Sequence, residues 1–425
     1  MLRKTLFIIA CICICYLGSS NGQERTLTLE YCLATAKANH PLFDQYDLLA
    51  SGSALKIKNY NKNYLPEMNI NGDAHYQSDV TEVPTFVAAL APEPLDKDQY
   101  KISLDVSQMI YDGGMTRKNK DIEYIENQIN QQNIGIDLYR LNERIVGVYF
   151  SIISLQESLD LLDITRKNLS ARLSEVESGV KNGLVLASNA EILKAELLKI
   201  DQKEIEINAG ISSGYNLLSI LMGEEIVSGT DLEWNDPIVE SFVVGRDRPE
   251  YTLFSLQQQK TESMKKLASS RLVPKMWAYG QAGYGRPGYN MLLNEFDDFY
   301  IIGAKLSWNF WNWNRTRNEK SILDLHKEII DKNRESFDQS LATDLERKMA
   351  EIMKIQALIP KDEEIATIRE GIVNTYSSRL QNGVITATEY VTEVHAELEA
   401  RVNLKIHEIQ LARAKYEYLA AAGKL

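Results

Sequence analysis

Residues 67–76 alternate. Glu67, Asn69, Asn71, Asp73 and His75 fall on one side of an extended backbone, and Met68, Ile70, Gly72, Ala74 and Tyr76 fall on the other. A period of two predicts a β-strand with one wet face and one apolar face. The period recurs in KISLDVSQ, where Lys101, Ser103, Asp105 and Ser107 oppose Ile102, Leu104 and Val106. It recurs again in GAKLSWNF, where Gly303, Lys305, Ser307 and Asn309 oppose Ala304, Leu306, Trp308 and Phe310. Runs of about ten residues suit a membrane-crossing strand, apolar outward and polar inward. Aromatic residues gather near the strand ends, at Tyr100, Tyr111, Phe299, Tyr300, Trp308, Trp311 and Trp313, as an interfacial girdle requires. An ordinary antiparallel sheet with one wet face produces the same alternation. Four strands cannot close a barrel, and open edges cannot sit in lipid, so a membrane barrel needs strands from several chains.

A helical period governs most of the rest. Met115 to Asn182 is free of proline, and apolar positions such as those of IVGVYFSIISLQESLDLLDI (145–164) fall on one stripe. A continuous helix there measures ~100 Å at ~1.5 Å per residue. A return helix is expected over 188–222, about half as long. Helical segments at about 28–62 and 250–270 supply the missing length if they stack end to end with the return helices. Pro360 predicts a local break or kink in the second half.

Two similar turns interrupt the helices, KNGLVLASNAEIL (181–193) and QNGVITATEYVTE (381–393). Gly183 and Gly383 suit the left-handed residue that ends a helix, and Gly223 and Gly423 end the return helices in the same way. Ser188 with Glu191, and Thr386 with Glu389, have capping-box spacing for the next helix. The two boxes are out of register, because Ser188 aligns with Thr388, which counts against the second. Leu184, Val185, Val384 and Ile385 are then expected at the far end of a long rod. There they either meet a partner or staple neighbouring hairpins together.

The chain repeats itself. Pro66, Met68, Gly72, Ala74 and Tyr76 recur 208 residues later as Pro274, Met276, Gly280, Ala282 and Tyr284. From Tyr100 onward the offset is 200, through Ile302, Ser307, Thr316, Arg317, Asn382, Gly383 and Gly423. The single change of offset falls in a loop, where length changes are tolerated. Residues 23–225 and 247–425 read as two repeats, each a helix, two strands and a long helical hairpin, joined by a linker at 226–246 that lacks strong periodicity.

Composition narrows the setting. The 425 residues carry a net charge of −12, which argues against nucleic acid as partner. Arg3 and Lys4, the apolar run 6–17 and the small residues before Gln23 predict a signal peptide at 1–22. The run falls short of the ~20 residues a membrane anchor needs. No later stretch reads as a transmembrane helix. Once the signal is removed only Cys32 is left, so the exported chain forms no internal disulfide. His40, His75, His326, His395 and His407 show no metal-ligand spacing, and no phosphate-binding loop or nucleophile elbow is present; GYGRPGY (283–289) follows a strand but precedes no helix. No cofactor and no enzymatic activity are expected.

Taken in order, LTLEYCLATAKANHPLF (27–43), the Pro-led strands, SQMIYDGG (107–114), the twin Asn-Gly tips and AKYEYLAAAGKL (414–425) resemble the TolC-like outer-membrane factors. The resemblance covers essentially the whole mature chain. It implies a membrane α+β fold: a homotrimer whose chains give four strands each to one twelve-stranded outer-membrane barrel, continuous with a periplasmic helical barrel. It implies a passive duct for a tripartite efflux pump or a type I secretion system, powered by an inner-membrane pump of the RND or ABC type. Gly183, Leu184, Val185, Ser188, Gly383, Val384, Ile385 and Thr386 become expected contacts for a periplasmic adaptor. The family's best-known member carries two Asp residues three apart after the second tip, where this chain has Glu389 and Thr392, with Glu393 adjacent. The first tip often carries Asp where Asn189 stands, so Glu389, Glu393 and Asn189 are the expected gate residues. The alternative is a structural periplasmic or surface coiled-coil protein without channel activity.

Overall fold

The computed structural model describes residues 26–81, 95–239 and 247–425. The predicted signal peptide and the end of the linker lie outside them. In chain order the elements are β1 (Leu27–Thr28), α1 (Leu29–Asn39), α2 (Pro41–Lys62), β2 (Glu67–Tyr76), β3 (Asp98–Tyr111), α3 (Met115–Lys181) and α4 (Ala187–Met222). They continue with β4 (Leu232–Glu233), α5 (Pro249–Ser270), β5 (Lys275–Arg286), β6 (Asp297–Ser307), α6 (Arg315–Gln381) and α7 (Ala387–Ala422). The matched pairs are equal in length: α2 and α5 have 22 residues each, α3 and α6 have 67, and α4 and α7 have 36.

Contacts divide the chain into two compact units. The first holds the N-terminal residues through Asp44, Ile136–Arg248 and Asp338–Leu425; the second holds Gln45–Gly135 and Pro249–Phe337.

The second unit contains a four-stranded antiparallel sheet in the order β2-β3-β5-β6, so β2 and β6 are its open edges. Facing pairs separate two surfaces. Ile70, Leu104, Ala282 and Tyr300 form one cross-strand row, and Asn69, Asp105 and Gln281 belong to the other face. The apolar face is exposed at Met68, Ile70, Ile102, Leu104, Tyr300 and Ile302. On the polar face Asn71 and Gln281 both donate to the Asp105 carboxylate. Phe299 is buried on this face: its ring crosses Gly283, where no Cβ fits, and stacks edge-on with Tyr289. It therefore departs from the expected girdle, because it points the opposite way from its neighbour Tyr300.

The first unit packs around the middle of α3. Ile145, Val146, Tyr149, Phe150, Ile152 and Ile153 are buried there against α1, α4 and α7 side chains such as Cys32, Leu218 and Ala412. Burying such side chains contributes roughly 1.5–3 kcal/mol each. Tyr149 is fully buried, and its hydroxyl lies within hydrogen-bond distance of the carbonyls of Leu27 (2.6 Å) and Glu233 (2.5 Å), which share its one proton. It thereby fastens β1 to β4, a short parallel pair joining the chain's start to the linker. Burial pushes the Cys32 thiol up to about 12, which keeps it protonated and unreactive.

Several sequence expectations change in detail. The first helical segment is two helices, because His40 is extended (φ −70, ψ 132) just before Pro41. The strand in GAKLSWNF ends at Ser307 rather than Phe310. Helix α6 continues through Pro360 without a break. One helix among the described residues, α3, is apolar enough over an 18-residue window to cross a membrane, with mean hydropathy 1.4. Its Ile145–Ile153 stretch is the core stripe just described.

Candidate functional site

Both tips lie in the first unit and share one backbone solution. At the first, the Gly183 N–H donates to the Val180 carbonyl (3.1 Å) and the Leu184 N–H to that of Gly179 (2.9 Å). At the second, Gly383 reaches Leu380 (3.0 Å) and Val384 reaches Arg379 (2.9 Å). This double bond closes a helix whose next residue is left-handed, and Gly183 and Gly383 have φ of 73° and 70°. Only glycine takes that conformation without a steric cost.

The four apolar residues expected at the ends divide in two. Leu184 and Val384 are exposed, whereas Val185 and Ile385 are half-buried against the core. Val185 folds back over Gly179, where a Cβ would come within 2.8 Å of it. So one residue of each tip acts as a staple and one faces outward. Sequence reading passed over Leu186, which is also exposed. Its place opposite Thr386 in the repeat was the available signal.

The caps reverse the order the sequence suggested. Thr386 forms a complete capping box with Glu389 at the start of α7. The N-cap of α4 is Leu186, with no side-chain cap bond, so Ser188 sits inside the helix rather than at its cap. The helix starts are equivalent in the repeat: Leu186 stands at the cap where Thr386 stands in the second half.

The expected gate residues are all bonded within the chain. Glu389 is exposed and accepts from the Thr386 amide (2.8 Å) and hydroxyl (2.9 Å), and these bonds hold its pKa below the usual carboxylate range. Glu393 pairs with Arg369 at 2.9 Å. The Asn189 carboxamide oxygen accepts the Ala387 N–H at 3.1 Å, so the first tip caps the helix of the second. Two further links join the hairpins, and neither is readable from local spacing. Arg172 is mostly buried, donates to Ser377 and lies 5.6 Å from the Tyr390 ring centroid. His395 Nε2 lies 2.6 Å from Glu196, whose side chain is almost wholly buried. Among the described residues no group of three or more His, Cys, Asp or Glu side chains is placed to hold a metal.

No family model matches the sequence, and no curated protein matches it either. Solved structures do match. VceC, an outer membrane protein of Vibrio cholerae, aligns over 93% of this chain and 96% of its own, with a TM-score of 0.65 and 14% identity. CusC, whose structures concern folding and transmembrane channel formation, aligns over 93% and 92%, at 0.70 and 12%. The MtrE outer membrane channel of Neisseria gonorrhoeae, in its open state, aligns over 93% and 89%, at 0.63 and 15%. The chain has the fold of these TolC-like channels. At 12–15% identity the likeness lies in the order and packing of elements, not in matched side chains.

Proposed function

We propose that the chain is an outer-membrane export channel with a large periplasmic portion. The observation that carries this reading is the four-stranded sheet: one face is apolar and exposed, and both edges are open. In hydrocarbon each unpaired backbone group costs several kcal/mol, so the sheet is stable in lipid only if its edges pair. Three copies close a twelve-stranded barrel whose polar face lines the lumen. The channel is passive, is not an enzyme, and takes its energy from an inner-membrane pump. The two repeats bring both tips to one end of the helical barrel, where Leu184 and Val384 contact a periplasmic adaptor. Glu389, Glu393 and Asn189 then lie at the inner end of the duct, with Glu389 the exposed carboxylate of the set.

The test is reconstitution of detergent-purified protein into planar bilayers. Wild type gives cation-preferring conductance, and Glu389→Lys weakens or reverses that preference, since three like charges act within about a Debye length. Leu184→Asp or Val384→Asp leaves conductance intact and removes adaptor cross-linking. A protein that fractionates as soluble and never conducts is instead the coiled-coil rod.

A further inference from the structure

The two hairpins of the sheet differ at one matched pair of positions on the polar face. In the first hairpin His75 stands opposite Gln99, and both side chains are polar, as a wet surface requires. Their counterparts in the second, at offsets of 208 and 200, are Gly283 and Phe299, which stand opposite each other in the same register. A ring has replaced an amide on a face that is otherwise polar, and the residue across from it has given up its side chain. A Cβ at Gly283 would strike the Phe299 ring. Left alone, that ring would stand in water, yet Phe299 is only 8% exposed.

The cover comes from the loop between β5 and β6. Tyr289, three residues past the end of β5, turns back over the polar face. Its ring meets Phe299 edge-on, with 4.7 Å between centroids. Its hydroxyl donates to Gln281 Oε1 at 2.8 Å, eight residues back along the chain. The amide nitrogen of Gln281 donates in turn to Asp105, so Tyr289 joins a network already anchored in β3. Lys101 closes the cluster from the same strand, with Nζ 4.9 Å from the Phe299 ring centroid and 5.7 Å from that of Tyr289. Ring packing, a hydrogen bond and a cation over both rings therefore hold one loop residue against the polar face.

The flanks of the loop belong to the other face. Phe296 stacks on Tyr284 at 5.6 Å, and the Arg286 guanidinium lies 5.4 Å from the Phe296 ring. Between Arg286 and Phe296 the chain thus crosses the rim of the sheet twice, inward to Tyr289 and outward again to Phe296. Met291, Leu292 and Leu293 lie between anchor and return, and all three are exposed. Asn294 fixes the return by accepting the Asp96 N–H at 3.1 Å, just before β3 begins.

We infer that Tyr289 holds the β5–β6 loop inside the lumen, so that the outer mouth is narrower than the barrel beneath it and limits the size of solute that leaves. The inference rests on the channel reading, in which the polar face lines the lumen, and adds a size filter at the end opposite the helical tips. Three copies bring three such loops into one mouth. Tyr289 is a positioning residue: it acts through where it keeps the loop, and solute meets the loop.

Two measurements on full-length protein test this. In the first, Met291→Cys carries a nitroxide, and pulsed electron paramagnetic resonance reads the distances between copies in the detergent-solubilised trimer. Met291 is exposed and stands two residues past Tyr289, so the substitution leaves the anchor in place, and Cys32 escapes labelling because it is buried. The distances are expected to be shorter than those from Tyr300→Cys, which points to the apolar face, and to lengthen when Tyr289→Ala is added. In the second, polyethylene glycols of graded size are added on the loop side of single channels in planar bilayers, where only a polymer that enters lowers the current. Tyr289→Ala should admit larger polymers than wild type. Tyr289→Phe, which keeps the ring on Phe299 and loses the bond to Gln281, should fall between them. Two results overturn the filter and leave the channel reading standing: label distances at Met291→Cys as long as those at Tyr300→Cys, or one polymer size limit shared by all three conducting proteins. Wild type that shows no distances between copies and never conducts removes the channel reading and the filter together.

Discussion

The turn from β3 into α3 and the turn from β6 into α6 occupy equivalent positions and are built from different chemistry. In both, two consecutive residues are left-handed. The first uses Gly113 and Gly114, at φ 72° and 79°. The second uses Trp313 and Asn314, at φ 52° and 61°. In the first, Asp112 collects the Gly114 amide (2.8 Å), the Thr116 amide (2.6 Å) and the Tyr64 hydroxyl (2.7 Å). In the second, Asn312 has a lighter role, donating to the Thr316 hydroxyl at 2.7 Å. Thr116 and Thr316 are both buried, so the helix start is conserved in geometry while its support is not. The difference follows from room. A Cβ at Gly113 would come within 3.0 Å of Val273 and 3.1 Å of the Ser270 carbonyl, whereas Trp313 is 83% exposed and its ring turns outward beside Trp311. A bulky residue in the left-handed region is unfavourable, and this one places an indole at the foot of the sheet, where amphipathic rings favour a membrane interface.

Exchanging the two turns gives the largest effect. Gly113→Trp should lower stability by about 2 kcal/mol or more, combining the left-handed penalty with the clash at Val273. Trp313→Gly should change it by no more than about 1 kcal/mol, because relief of strain is offset by the added freedom of the unfolded chain. Thermal unfolding in detergent, followed by circular dichroism, measures both. Equal losses from the two variants would mean that packing around the turns is the same, contrary to the geometry.

Acid should separate the turns next. Burial alone raises the Asp112 pKa, but the bonds from Thr116, Tyr64 and the Thr116 and Gly114 amides outweigh it and hold the carboxyl below its ordinary value. A depressed folded pKa contributes stability that is present above the unfolded pKa, near ~3.9, and is lost as pH falls through the folded value. Wild type should therefore lose stability as pH falls below ~4, and Asp112→Asn should lose less over that window while starting lower by roughly 1.5–3 kcal/mol. Asn312→Asp should add acid sensitivity where there was none. An unchanged acid limb in Asp112→Asn would show that this carboxylate contributes nothing.

Much of this architecture was legible because the chain states it twice. The strand alternation at Glu67–Tyr76, the glycines at 183, 223, 383 and 423, and the constant offsets are local or pairwise features, and local rules read them. Contacts that depend on which helices become neighbours were not legible. Nothing near Arg172 in sequence indicates Ser377 or Tyr390, and nothing near Tyr149 indicates that its hydroxyl joins β1 to β4. Phe299 looked like a girdle residue because aromatic clustering carries no information about face. Its alternation with Tyr300 did carry it.

The smallest difference lies at the tips, where equal backbones carry unequal caps. Thr386 with Glu389 satisfies the first amides of α7, and Asn189 takes one more, whereas Leu186 offers α4 no side-chain acceptor. Thr386→Ala should cost about 1 kcal/mol, since it leaves the Glu389 amide without its 3.3 Å acceptor. Leu186→Thr should gain up to about that amount, since Asn189 stands three residues on and its N–H already reaches the Leu186 carbonyl at 3.0 Å. Because Leu186 is exposed, the change opens no cavity. Hydrogen exchange resolves the two sites without requiring global unfolding, as protection in the first turns of α4 and α7 reports each cap separately. Protection should fall at 388–390 in Thr386→Ala and rise at 188–190 in Leu186→Thr. If adaptor binding also weakens in Leu186→Thr while helix protection rises, the exposed leucine is itself a contact. If binding is unchanged, Leu186 is not part of the binding surface.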